Sequence, residues 1–233
     1  LAERIQRNLL PQEVPQPEGY QILCHQTPCT EVGGDLYDVR PRTDGRFWVV
    51  LGDVTGHGMG AALLMSHVMS GLQLLEDESE DPLTLVTRLE KHLLQHVEIG
   101  QFVTMFVGVL DPATGHLQYV NAGHNPPVVI GGPDALELPA TGMAVAMLPG
   151  QTRKVAEITL GEGQTLLIFS DGIPETVNIH DEQYDEGRMA GLLASVDGLD
   201  GRTIGAKLLA DVELFRGDAE ITDDLTLVVL HRR

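Results

Sequence analysis

The sequence predicts an α+β fold in which helices cover antiparallel sheets. Two observations carry that expectation. Short apolar runs of strand length crowd the middle of the chain and alternate with turns such as "DPATG" at 111–115. Helical periodicity is confined to blocks between and after those runs, the pattern of antiparallel sheets with helices on their faces.

Each element has a local signal. "LAERIQRNLLP" opens the chain as an amphipathic helix, with Leu1, Ile5 and Leu9 four residues apart and Pro11 as its stop. The Pro-rich "QEVPQPEG" reads as a connector, and residues 1–19 together as a linker preceding one domain, 20–233. "YQILCHQ" and "RFWVVLGDV" read as strands. From Met59 to Leu75 the chain is apolar on more than one face, which predicts a buried helix whose methionines fill core. After the acidic loop 76–81, Asp81 and Pro82 form an N-cap and first helical residue. Leu83, Val86, Leu89, Leu93 and Val97 make the stripe of that helix. Two β-rich runs flank "DPATG" and a third follows "NPP". "TRKVAEITL" and "QTLLIFSDG" continue the strand pattern, and residues 184–216 turn helical up to Gly217. "LTLVVLHR" is the last strand.

Composition narrows the function classes. A net charge of −19 argues against a phosphate-binding nucleic-acid groove, which needs clustered Lys and Arg. Cys24 and Cys29 are too few for a disulfide framework, which makes a reducing cytoplasm the default. No apolar run approaches a membrane span, and the charges in "LAERIQRNLL" break up any signal-peptide core. The missing initiator Met suggests a piece of a longer chain.

The chemistry concentrates in acidic residues at strand ends. Asp35 follows "VGG", Asp53 follows "VVLG", Asp171 follows "LLIFS", and Asp223-Asp224 precedes "LTLVVL". After Asp53 comes a glycine-rich bend with Gly56, His57, Gly58 and Gly60 that leads into a helix, a rigid way to present a side chain. Singly, such residues are turn formers and caps. Gathered at one sheet edge they repel, at about 4 kcal/mol per pair ~4 Å apart with an effective dielectric of about 20. A divalent ion reverses that sign, and an all-oxygen set favours Mg²⁺ or Mn²⁺ over zinc.

In order along the chain, "GGDLYDV" (33–39), "GDVTGHGMGAALLM" (52–65), "FVTMFVGVLDPATGHLQYVNAGHNPP" (102–127), "LLIFSDGIPE" (166–175) and "DDLTLVVL" (223–230) resemble one family. It is the bacterial metal-dependent serine/threonine protein phosphatases of the PPM family, in the branch of the stage II sporulation phosphatase and the stress-sigma-factor regulators. The resemblance implies an αββα sandwich over residues 20–233 with two Mn²⁺ or Mg²⁺ ions at one edge. It implies that Asp53 bridges both ions and that the Val54 carbonyl adds an oxygen. Asp171 and Asp223 would hold the second ion, and Asp35 would act directly or through water. Asp224 is a neighbouring candidate ligand, ranked below Asp223. The implied reaction is hydrolysis of phosphoserine or phosphothreonine by in-line attack of a metal-activated water, with no phosphoenzyme. The implied substrate is a phosphorylated anti-sigma-factor antagonist. A sensory domain would lie upstream, and the N-terminal helix would pair with its twin in a homodimer. A silent regulatory module of the same fold, or a hydrolase of small phosphate esters, is the alternative.

Several histidines call for a choice. His57 is an acid–base candidate or a hydrogen-bonded loop residue, since the family's acid position, two after the bridging Asp, holds Thr55 here. His124 reads as a brace through Asn121 or Asn125. His92 and His96 have helical metal-ligand spacing, but no third ligand is visible nearby in sequence. Cys24, His25 and Cys29 lack a second ligand pair for zinc. Neither cysteine has an Arg six positions on, which argues against a cysteine-nucleophile phosphatase. Pro174 replaces a common Thr, and "TGMAVAMLPG" lacks the usual Gly-Leu, both near elements that face substrate or regulator in relatives.

Overall fold

In chain order the elements are α1 (Ala2–Leu9), β1 (Tyr20–Thr27), β2 (Leu36–Pro41), β3 (Phe47–Val54), α2 (Met59–Leu75), α3 (Pro82–Leu93), β4 (Val103–Leu110), β5 (His116–Ala122), β6 (Val128–Ile130), β7 (Leu136–Glu137), β8 (Ala156–Thr159), β9 (Thr165–Phe169), α4 (Asp185–Ser195), α5 (Gly201–Arg216) and β10 (Leu225–Arg232). They come from a computed structural model that describes residues 2–76, 78–98, 100–196 and 198–233. The strands form two five-stranded sheets, ordered β1-β10-β9-β6-β7 and β2-β3-β4-β5-β8. Every strand pairing within them is antiparallel.

The pleat explains why the layers stack as helix, sheet, sheet, helix. On β3, Trp48, Val50 and Val54 join the core under α2 and α3, while Val49 and Leu51 join the core between the sheets. On β10, Val228 and Leu230 enter the inter-sheet core, and Leu227 and Val229 pack beneath α4 and α5. Both strands are apolar on both faces because both faces are covered.

Helix starts follow their caps. The Asp81 carboxylate accepts the Thr84 amide at 2.9 Å, with Pro82 in the first turn. Asp200 caps α5 through the Arg202 and Thr203 amides. That cap splits the helical run expected over 184–216 into two helices, with Asp197 outside the described residues.

Other expectations shift as well. The strand expected over 152–160 shrinks to β8. Nothing in the sequence periodicity announces β2, an edge strand carrying Asp38 and Arg40, or the two-residue β7. Of the N-terminal stripe, Leu9 packs on the core but Ile5 is 55% exposed, and Leu1 lies outside the described residues. Gln6 is the buried residue of α1. Asp77, in the acidic loop, and Ile99 are likewise outside the described residues.

Candidate metal centre

Asp53 reaches its position by strand parity. Val49 and Leu51 face the other sheet, and Asp53 is the next residue on that side, half-buried at the open end of the sandwich. Beyond it the chain turns through Gly56 (φ +90°) and Gly58 (φ +73°), a left-handed backbone that glycine adopts without strain. Gly58 is the residue that starts α2. Thr55 fastens the bend to β4, its amide donating to Phe102 O at 3.1 Å and its hydroxyl accepting the Phe102 amide at 3.1 Å. His57 is exposed between the two glycines, close enough for its charged form to act on Asp223.

The loop before β2 closes over the same end. A Cβ on Gly34 would lie 2.9 Å from the Val54 carbonyl oxygen and 3.5 Å from Asp53 Oδ1. Glycine is what lets the backbone carrying Asp35 come so near. Asp35 is 1% exposed, and its Oδ2 is buried without a hydrogen-bond partner. Asp171 and Asp223 come from the other sheet, at the adjoining ends of β9 and β10. There the Ser170 amide donates to Thr226 O at 3.0 Å.

The electrostatics record the crowding. Burial first, then the charges of Asp171 and Asp223, push the Asp53 carboxyl up to about 7. Burial, followed by Asp223 and Glu175, raises Asp171 to about 6. Asp35 is driven well above the ordinary carboxylate range by burial and by Asp53. Burial also raises Asp223. Four acids are each destabilised as anions, and no Lys or Arg is among the causes. A divalent ion would relieve them all. The donors are oxygens, and Asp35 Oδ2 has a free acceptor, so the residues suit Mg²⁺ or Mn²⁺. Among the described residues, no three His, Cys, Asp or Glu side chains already stand in an ion-binding arrangement. The carboxylates are gathered and raise one another's pKa values without forming a finished cage.

Asp224 is engaged differently. It is 4% exposed, and its carboxylate accepts the amides of Cys29 (2.8 Å), Gly34 (2.6 Å) and Asp35 (3.3 Å). A Cβ on Gly33 would overlap that carboxylate, and one on Gly172 would overlap the Asp224 carbonyl. Ser170 Oγ donates to the same carbonyl at 3.1 Å. The family resemblance made Asp224 a candidate ligand ranked below Asp223; in this structure its oxygens brace the loop that bears Asp35. A second brace was invisible in the sequence. The Gln6 side chain of α1 donates to Gly33 O at 2.6 Å and accepts the Gly33 amide at 3.0 Å.

Around the centre, His124 is buried and braced as its spacing suggests. Its amide donates to Asn121 Oδ1 at 2.8 Å, and Nδ1 is 2.9 Å from the hydroxyl of Thr104, the β4 partner of Asp53. Burial pushes its imidazole down to about 4, which keeps it neutral. Burial raises the Cys24 thiol to about 12. Burial and Asp224 raise Cys29 to about 11, so neither cysteine is a thiolate nucleophile. A cleft of about 370 Å³ opens beside Asp223, lined by His25, Thr176 and Arg216 among others.

The model of the stage II sporulation protein E family matches residues 43–233. The chain belongs to that family. Protein IcfG of Synechocystis sp. is 27% identical over 98% of the chain, and the phosphoserine phosphatase RsbU of Bacillus subtilis is 27% identical over all of it. The chain spans 40% of the length of the first and 69% of the second. The structure titled SiaA-PP2C domain of Pseudomonas aeruginosa superposes with a TM-score of 0.86 at 21% identity, over 99% of this chain and 94% of that one. At that identity the likeness speaks for the fold, which is the PP2C fold. The αββα sandwich expected from the sequence is therefore the family's own architecture.

Proposed function

We propose that this member of the stage II sporulation protein E family is a metal-dependent phosphatase that hydrolyses phosphoserine or phosphothreonine in a protein. The observation that carries the reading is the crowding of Asp35, Asp53, Asp171 and Asp223 at one sandwich end, each raised by burial and neighbouring carboxylates with no Lys or Arg among the causes. RsbU, aligned over the whole chain, is named a phosphoserine phosphatase.

In this reading Asp35, Asp53, the Val54 carbonyl, Asp171 and Asp223 hold two Mg²⁺ or Mn²⁺ ions. Bound there, the ions would neutralise phosphoryl oxygens and lower the pKa of a water for in-line attack. The protein's part is positioning. Asp53 spans the two sheets' contributions, and Asp224 keeps the Asp35 loop pressed against it. His57, exposed beside Asp223, is the group within reach to pass a proton to the departing seryl oxygen. The cleft of about 370 Å³ beside Asp223 would take the residues flanking the phosphorylated one.

A phosphorylated anti-sigma-factor antagonist in the cytoplasm is the substrate class we infer from the family branch. Residues 1–19 would be the link from an upstream sensory domain. Ile5, exposed on α1, would be the apolar contact through which that link pairs with a second copy.

The test compares phosphoserine peptides with a small aryl phosphate, each with Mg²⁺, Mn²⁺ or EDTA. Metal-dependent turnover that favours the peptides supports the proposal. Turnover of the aryl ester alone points to a small-ester hydrolase. No turnover by folded, ion-loaded protein points to a silent module.

A further inference from the structure

Three histidines outside the proposed phosphatase centre meet where the middle of α2 faces the end of α3. His67 is on α2, His92 is on α3, and His96 follows in the turn after it. The ring centroids of His67 and His92 are 4.7 Å apart, those of His67 and His96 5.0 Å, and those of His92 and His96 5.4 Å. Only the His92–His96 spacing is visible in the sequence; the third member comes from another helix, 25 residues earlier.

That spacing is what a three-imidazole site needs. With a metal–nitrogen bond of about 2.0–2.1 Å, three imidazoles on a tetrahedral ion hold their ring centres about 5 Å apart. A second observation points the same way. His67 Nε2 is buried, and no hydrogen-bond partner meets it. Among the described residues no carboxylate pairs with any of the three rings; the histidine ion pair in the structure is His116–Glu157. Burial and the two neighbouring rings hold His67 below its ordinary range, which favours the neutral form that ligates metals.

We propose that His67, His92 and His96 bind a borderline transition ion, Zn²⁺ being the probe, and that this ion clasps α2 to the end of α3. Imidazole donors favour such an ion, whereas the oxygen donors at the sandwich edge favour Mg²⁺ or Mn²⁺. The two sites therefore differ in metal. Among the described residues these three do not already form an ion-holding group, and the His67 and His92 rings lie stacked with 27° between their planes; binding therefore requires each ring to rotate about its Cβ–Cγ bond, a broad torsion. His96 is exposed, which leaves the fourth position to water.

The test is Zn²⁺ binding by competition with a chromophoric chelator, in saturating Mg²⁺ and at a pH above 7. Tetrahedral Co²⁺ absorption and the Zn²⁺-dependent rise in melting temperature serve as independent readouts. The expected result is one Zn²⁺ per chain. Affinity should fall at least tenfold in His96→Ala, whose side chain is exposed, and in His92→Gln, since even outer-sphere partners are worth about 10–100-fold. Asp53→Asn should bind Zn²⁺ as wild type does. Equal Zn²⁺ affinity in wild type and both histidine variants would overturn the proposal. So would affinity that follows Asp53 instead, or folded wild type that takes up no Zn²⁺.

Discussion

The Asp224 carboxylate accepts the Gly34 amide at 2.6 Å, joining positions 190 residues apart in sequence. The same carboxylate holds the amides of Cys29 and Asp35. One side chain at the start of the last strand thus fixes the loop that delivers the first carboxylate of the site.

Removing that brace and removing a ligand should have different signatures. Asp224→Ala leaves buried amides without an acceptor, and an unmet buried donor costs about 1–3 kcal/mol. Asp223→Asn removes a repelling charge that is half-buried and should leave stability unchanged or raised. Both variants should lose activity. Urea unfolding of the ion-free proteins checks the contrast.

The centre should make ion-free protein less stable as pH rises. The Asp53 and Asp171 carboxyls are pushed up to about 7 and about 6 in the folded state, against an ordinary 3.8. Folding therefore binds their protons more tightly. The stabilisation is complete below about 4 and is lost as pH climbs through 6 and 7. Melting temperatures in EDTA from pH 5 to 8 should fall, Asp53→Asn should flatten much of that fall, and Mg²⁺ or Mn²⁺ should offset it.

His124 acts in the opposite sense. Burial holds its imidazole at about 4, below the ordinary 6.5. Stability from the neutral ring is present above about 6.5 and is lost as pH falls toward 4. His124→Gln should flatten the acid limb of a stability–pH profile while costing stability at pH 7, where the link to Thr104 is lost.

Glu90 and Arg153 form a buried pair, with Arg153 Nη2 2.7 Å from Glu90 Oε1 and Nη1 3.1 Å from Oε2. Arg153 also donates to the carbonyls of Met143 and Ala144, tying "TGMAVAMLPG" to α3. Breaking one side of such a pair costs about 3–5 kcal/mol. Arg153→Met should cost about that much in chemical unfolding and should expose the 141–150 segment to proteolysis.

How far the sequence reads depends on the range of the interaction. Asp53 was legible because an apolar strand, a glycine bend and a helix start are all local, and pleat parity then aims the side chain. The α5 start is equally local, written in Asp200, although the break it imposes in the 184–216 run was not expected. The edge strand β2 was not legible. Its polar Asp38 is buried beside Arg40, an arrangement that needs the tertiary neighbour Glu76. Asp224 as a brace, the grip of Gln6 on Gly33, and His67 completing the His92–His96 pair all join elements far apart in sequence. No periodicity in one segment reports them.

The proposed phosphatase stands or falls on the strand-end aspartates forming an ion centre that hydrolyses a phosphoseryl bond. Phosphate release from a phosphoserine peptide, measured for wild type and Asp53→Asn with and without Mn²⁺, tests it most directly. Wild type should release phosphate in a reaction that EDTA abolishes, and a folded Asp53→Asn should release none at any Mn²⁺ concentration. Turnover that survives EDTA, or that Asp53→Asn retains, would contradict it.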